Sequence, residues 1–60
     1  MATDHDAARA ARNLITEHGT AAESVALARA KHAEESSRPE AALTWRNIAA
    51  AVKRLQGRPD

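Results

Sequence analysis

The bulky apolar side chains of this chain are concentrated in residues 41–56, and this constrains the fold more than any other feature. The stretch holds the only Trp and four of the eight Leu, Ile and Val residues. Its main apolar positions are Trp45, Ile48, Val52 and Leu55. Their spacing of three, four and three residues forms one stripe along an α-helix. We therefore predict that this stripe lies at the centre of the core.

Alanine supplies most of the remaining apolar content, with 16 Ala and no Phe or Tyr among 60 residues. A chain of this length forms one domain at most and buries only about 60% of its unfolded surface. Because alanine has the highest helix propensity, helices can form even where core side chains are scarce. The composition predicts a single all-helical domain, either as a marginal monomer or as an oligomer.

Two further helices precede this stretch and give an antiparallel three-helix bundle, an all-α fold with helices at about 4–18, 20–35 and 39–56. Residues 1–3 and 57–60 are predicted to fray. Gly19 suits the position after the first helix, where a positive φ is favoured. The buried face of the first helix is predicted from its helical spacing to contain Ala7, Ala8, Ala11, Leu14, Ile15 and His18.

The starts of the second and third helices carry local capping signals. Thr20 and Glu23 have the spacing of a capping box, in which each side chain accepts a hydrogen bond from a free backbone N–H. Ser37 and Glu40 repeat that spacing. Pro39 fits the first turn of the third helix, where its missing N–H is not needed.

The inward face of the second helix is poorly marked, because two neighbouring alanine-rich stripes compete for it. One contains Ala21, Val25, Ala28 and His32, and the other contains Ala22, Ala26, Ala30 and Ala33. Leu27 lies about 200° around the helix from Val25, so one of these two must point away from the core.

Leu43 lies at the margin of the core stripe of the third helix or outside it. With Leu27, and with Arg29 and Arg46 nearby, it forms a candidate surface for a partner protein or a second copy. We predict that the protein acts through protein–protein contact, either with a partner protein or with itself as a homo-oligomer.

Several classes of function are disfavoured by the sequence. There is no Cys, and none of the three His has a partner His at the spacing of a helical metal site. The first ten residues contain no apolar signal segment, and no run approaches the roughly 20 residues of a membrane span. We therefore expect no catalytic, cofactor or metal site, no membrane contact, and a cytoplasmic location.

A small DNA-associated regulator is the alternative prediction, with contacts from Arg9, Arg12, Lys53 and Arg54. Residues 10–30 resemble the opening of the DNA-binding domain of TetR-type repressors. A recognition helix carries polar side chains in its first turns. Here the third helix begins with acidic or apolar residues, namely Glu40, Ala41, Ala42 and Leu43. Nine Lys and Arg against eight Asp and Glu also give little attraction for nucleic acid.

A second resemblance rests on the last helix. His18 followed by Gly19, and then Trp45, Ile48, Ala51, Val52 and Leu55 at fixed spacing, resemble small all-helical bacterial proteins of unknown function found in alphaproteobacteria. The likeness covers about 40 residues. It implies an all-helical fold and no particular catalytic or binding residues.

Overall fold

In the computed structural model, which describes the backbone of residues 4–57 and the side chains of residues 6–57, the regular structure is helical. Helix α1 spans Asp4–His18, α2 spans Ala22–Glu35 and α3 spans Pro39–Gln56. A 3-10 turn, Gly19–Ala21, joins α1 to α2, and no strand occurs within the described residues. The predicted all-α class is confirmed. The predicted fraying of residues 1–3 and 58–60 lies outside the described part of the chain. Gly57, also predicted to fray, donates its N–H to the carbonyl of Lys53.

The core forms where α3 packs against α2 and, less extensively, against α1. Val52 is fully buried and Ile48 is nearly so, as the stripe in the sequence predicted. Trp45 and Leu55 are half-buried and pack against the core from either end of the stripe. The core cluster is otherwise small, with Leu14 and five alanines, namely Ala11, Ala22, Ala26, Ala49 and Ala51.

Only one of the two competing stripes of α2 is buried. The stripe Ala22, Ala26, Ala30 and Ala33 is buried. Val25 is half-buried, whereas Leu27 points to solvent with 48% of its surface exposed. Four methyl groups in a row allow the two backbones to approach closely, and this explains why a helix with so little bulk can pack extensively against α3.

Two predicted core positions of α1, Ala8 and His18, lie outside the core. Ala8 is half-buried but does not pack against the core cluster. His18 is exposed, whereas Ala11 and Leu14 are buried and Ala7 and Ile15 are half-buried against the core. His18 is the last residue of α1 and directly precedes the turn. The chain leaves the core there, so helical spacing no longer predicts burial.

In the turn between α1 and α2, Gly19 has its predicted role, whereas Thr20 does not cap α2. Gly19 has φ +59, the left-handed conformation that favours glycine. Thr20 lies inside the 3-10 turn, and no side chain caps α2, whose N-cap is Ala21. The predicted Thr20–Glu23 capping box is therefore wrong. An N-cap needs a non-helical backbone, and the 3-10 turn instead pairs the N–H of Ala22 with the carbonyl of Gly19.

The predicted Ser37–Glu40 capping box is also wrong, because Ser37 closes α2 rather than opening α3. Ser37 has φ +60 and donates its N–H to the carbonyl of Glu34 at 3.1 Å, while Arg38 donates to Ala33 at 2.8 Å. These two bonds form a Schellman motif. The N-cap of α3 is consequently Arg38, without a side-chain bond, and Pro39 begins the helix as predicted.

We expect Ser37→Gly to stabilise the protein by about 0.5–1 kcal/mol, because a non-glycine residue in the left-handed region carries a penalty of about 1–2 kcal/mol. Part of that gain is offset by the greater entropy that glycine has in the unfolded chain. Thermal unfolding would then shift upward by a few degrees, at about 4–8 °C per kcal/mol. Ser36→Gly is the control, since Ser36 has φ −92 and should gain nothing. Equal midpoints for the two variants would contradict the assignment of Ser37.

The end of α3 is fixed at Gly57, which donates its N–H to the carbonyl of Lys53 at 2.7 Å. A Cβ at Gly57 would lie only 2.8 Å from that oxygen, so the close approach itself requires glycine. The amide of Gln56 also donates to the carbonyl of Gly19 at 2.7 Å, which ties the end of α3 to the turn after α1. None of the described helices is both long and apolar enough to span a bilayer.

Candidate functional site

The two leucines predicted to lie at a contact surface are both exposed. Leu27 exposes 48% of its surface and Leu43 exposes 59%. Each lies two residues from a side chain that packs against the core, Val25 in α2 and Trp45 in α3. Two residues correspond to about 200° of helix, so each leucine points away from the core. A 60-residue protein thus leaves two of its four leucines largely in water.

An ion pair connects α2 and α3 on the side where these leucines lie. The guanidinium of Arg46 donates a hydrogen bond to the carboxylate of Glu34. Glu34 follows Leu27 by seven residues, almost two full turns, and Arg46 follows Leu43 by three. We call this surface the Leu face and define it as Leu27, Glu34, Leu43 and Arg46. It brings together three of the four residues predicted for protein contact.

Arg29, the fourth predicted contact residue, lies elsewhere. Its guanidinium carbon is 5.0 Å from the centre of the Trp45 ring, on the side of α2 that faces away from Leu27. A guanidinium over an indole ring at this distance forms a cation–π interaction. Arg29 therefore belongs to a separate surface, formed where the end of α2 meets the start of α3.

That surface contains a cleft of about 430 Å³. We call it the Trp45 cleft. Its basic lining residues are Arg29, His32 and Arg38, and Trp45 forms an apolar wall. The rest of the lining is small, consisting of Ala28, Ala33, Ser36 and Ala41. Its volume falls in the range of small-molecule sites, about 300–1,000 Å³.

The basic residues of the DNA-binding alternative are exposed but do not share one face. Arg9 and Arg12 lie on α1, where they line a depression of about 230 Å³, and Lys53 and Arg54 lie in the last turn of α3. Arg9 is about 200° from the buried Ala11, and Arg54 is about 200° from the buried Val52. Since α1 and α3 pack against each other through their inner faces, these outer faces point apart.

The hydroxyl groups of two helical threonines are occupied by local hydrogen bonds. Thr16 donates to the carbonyl of Arg12 at 2.9 Å, and Thr44 donates to the carbonyl of Glu40 at 3.0 Å. Such bonds to the preceding turn are structural. Within the described residues, no group of three His, Cys, Asp or Glu side chains is placed to hold a metal ion.

The sequence contains only a partial signal for the Trp45 cleft. That signal is the spacing of Arg29, His32 and Ser36, which follows one helix face. Their position beside Arg38 depends on the turn between α2 and α3. The predicted Ser37–Glu40 capping box gave the wrong conformation for that turn. No protein-family model, curated protein sequence or solved structure matches this chain. The resemblances to TetR-type repressors and to small alphaproteobacterial proteins stay predictions.

Proposed function

We propose that this protein acts through protein–protein contact, without catalytic activity, and that the Leu face binds a second copy of the chain. The observation that carries the proposal is the exposure of Leu27 and Leu43, whose helix positions lie on the same side of α2 and α3 as the Glu34–Arg46 ion pair. Neither leucine contributes to the core, so both are available for an apolar contact with a second chain.

The small core favours a second copy as the partner. Val52 is the one large side chain that is completely buried in the described residues, and much of the remaining core is alanine. A 60-residue domain with so little buried bulk gains limited stability from its own core. Association through Leu27 and Leu43 would bury further apolar surface and stabilise the folded state by mass action.

The charges of the Leu face are compatible with two-fold symmetry. A two-fold interface places the same patch of each subunit against the other, so each residue needs its complement on the same patch. Glu34 and Arg46 form an ion pair within each copy, so the patch carries both signs of charge. A patch of one sign would repel its copy.

The proposal also covers the tertiary architecture and the cellular location of the protein. We propose an antiparallel three-helix bundle, supported by the contacts of α3 with both other helices and by the bond from Gln56 to Gly19. A cytoplasmic location stays part of the proposal and is compatible with a sequence that lacks cysteine. DNA binding stays a prediction that the diverging basic faces do not favour.

Light scattering during size-exclusion chromatography tests the proposed dimer. The wild-type chain of 6.4 kDa should elute at twice that mass and return toward it on dilution. Leu27→Glu and Leu43→Glu should each shift the equilibrium to monomer, because each buries a carboxylate in an apolar contact. Asn13→Glu, on the outer face of α1, introduces the same charge elsewhere and should leave the dimer intact.

Circular dichroism should show the same helix content in all four proteins, since the replaced residues are exposed. A wild-type chain that stays at 6.4 kDa at every concentration would contradict the second copy as partner. A dimer unaffected by both leucine variants would show that another surface forms it.

A further inference from the structure

The Trp45 cleft concentrates positive charge in a protein that is almost neutral overall. The formal net charge of the chain is +1. Two arginines and one histidine nevertheless line the cleft, and among residues 6–57 its lining includes neither Asp nor Glu. The positive charge is therefore a local property of the place where the end of α2 meets the start of α3.

In the part of the chain that the structure describes, the two arginines of the cleft keep their hydrogen-bond donors available. Within residues 6–57, no carboxylate forms an ion pair with Arg29 or Arg38, whereas Arg46 is engaged by Glu34. The position of Arg29 over the half-buried Trp45 ring holds its guanidinium at the cleft without using its N–H groups. A guanidinium held in advance loses less entropy when it binds a planar anion.

The wall of the cleft is apolar. Trp45 packs against the core on one side and lines the cleft on the other, and the methyl groups of Ala33 and Ala41 lie nearby. Binding sites for small molecules commonly combine such apolar walls with a few charged groups that fix orientation. Both components are present within about 430 Å³.

From this arrangement we propose that the Trp45 cleft binds a small organic anion. The carboxylate or phosphate group of the ligand accepts hydrogen bonds from Arg29 and Arg38, and its apolar part lies against Ala41 and the part of the Trp45 ring that Arg29 leaves uncovered. Guanidinium groups suit this role because their N–H donors match the oxygens of carboxylate and phosphate in pairs. The site is separate from the Leu face, since Arg29 and Leu27 lie about 200° apart on α2.

The single Trp makes the test direct, because the indole N–H of Trp45 gives one resonance in a ¹H–¹⁵N spectrum. Phenyl phosphate and benzoate should each shift that resonance in a saturable way, with a dissociation constant on the order of 1 mM for ligands this small. Inorganic phosphate should bind more weakly, since it lacks the apolar part. Benzyl alcohol, which lacks the charge, should give no saturable shift.

Arg38→Gln should weaken the binding of both aromatic anions about tenfold, because it removes a charged donor. The affinity of Arg38→Lys for these anions should lie between those of the wild type and Arg38→Gln, since lysine keeps the charge but not the paired donors. Arg12→Gln is the control, as Arg12 is exposed on α1 and does not line the cleft. The proposal is overturned if benzyl alcohol binds as well as benzoate, if neither aromatic anion binds, or if Arg38→Gln and Arg12→Gln behave alike.

Discussion

Replacing Ile48 with alanine is expected to lower the free energy of unfolding by about 2–5 kcal/mol. Ile48 is only 6% exposed and lies in the core cluster with Leu14 and Val52. Most other members of that cluster are alanines, which have no side-chain torsions and cannot turn to fill a cavity. We therefore expect the loss to lie toward the upper end of this range and to unfold much of a domain that is already small.

Urea denaturation followed by circular dichroism measures this loss. Asn47→Ala is the control, because it also shortens a side chain of α3, but at an exposed position outside the Leu face. Its effect should stay within about 0.5 kcal/mol, as for most surface substitutions. Similar losses for the two variants would show that Ile48 is not at the centre of the core.

The helices of this protein could be predicted because their signals are local and repeated. Alanine favours helix at many positions, and the spacing of Trp45, Ile48 and Val52 identified the inner face of α3. Helical geometry alone placed Leu27 opposite Val25 and Leu43 at or beyond the margin of the core stripe, and it left open which of Leu27 and Val25 points outward. The structure exposes both leucines.

The side-chain caps of α2 and α3 were not predictable from short motifs, because a motif does not determine the backbone on which it sits. Thr20 and Ser37 both had suitable partners three residues later, yet neither caps a helix. At Thr20 the chain continues in a 3-10 turn, and at Ser37 the residue is needed to close the preceding helix. The 3-10 turn determines the backbone conformation at Thr20, and the Schellman motif at the end of α2 determines it at Ser37.

The candidate sites depend on contacts between distant residues, and for this reason the sequence predicted them only in part. Arg46 meets Glu34 across 12 positions of sequence, and Gln56 meets Gly19 across 37. Arg29 and Arg46 looked equivalent in the sequence, but one lies over Trp45 and the other lies on the Leu face. Only the packing of α2 against α3 separates their surroundings.

Because α2 packs against α3, the second large effect on stability is expected for Ala26→Leu. Ala26 is completely buried in the contact that α2 makes within the core, so a larger side chain must push the helices apart or distort its neighbours. Overpacking of this kind typically destabilises a core by about 1–3 kcal/mol. Ala28→Leu adds the same atoms to an exposed position of α2 and should change stability by no more than about 0.5 kcal/mol.

Thermal unfolding of the two variants measures the difference, and the indole resonance of Trp45 reports how it arises. If Ala26→Leu separates α2 from α3, Arg29 moves relative to the Trp45 ring and the resonance shifts even where the protein remains folded. Ala28 lines the Trp45 cleft, so its variant can also shift the resonance, but without loss of stability. An Ala26→Leu protein as stable as the wild type would mean that close approach through alanine is not what holds these helices together.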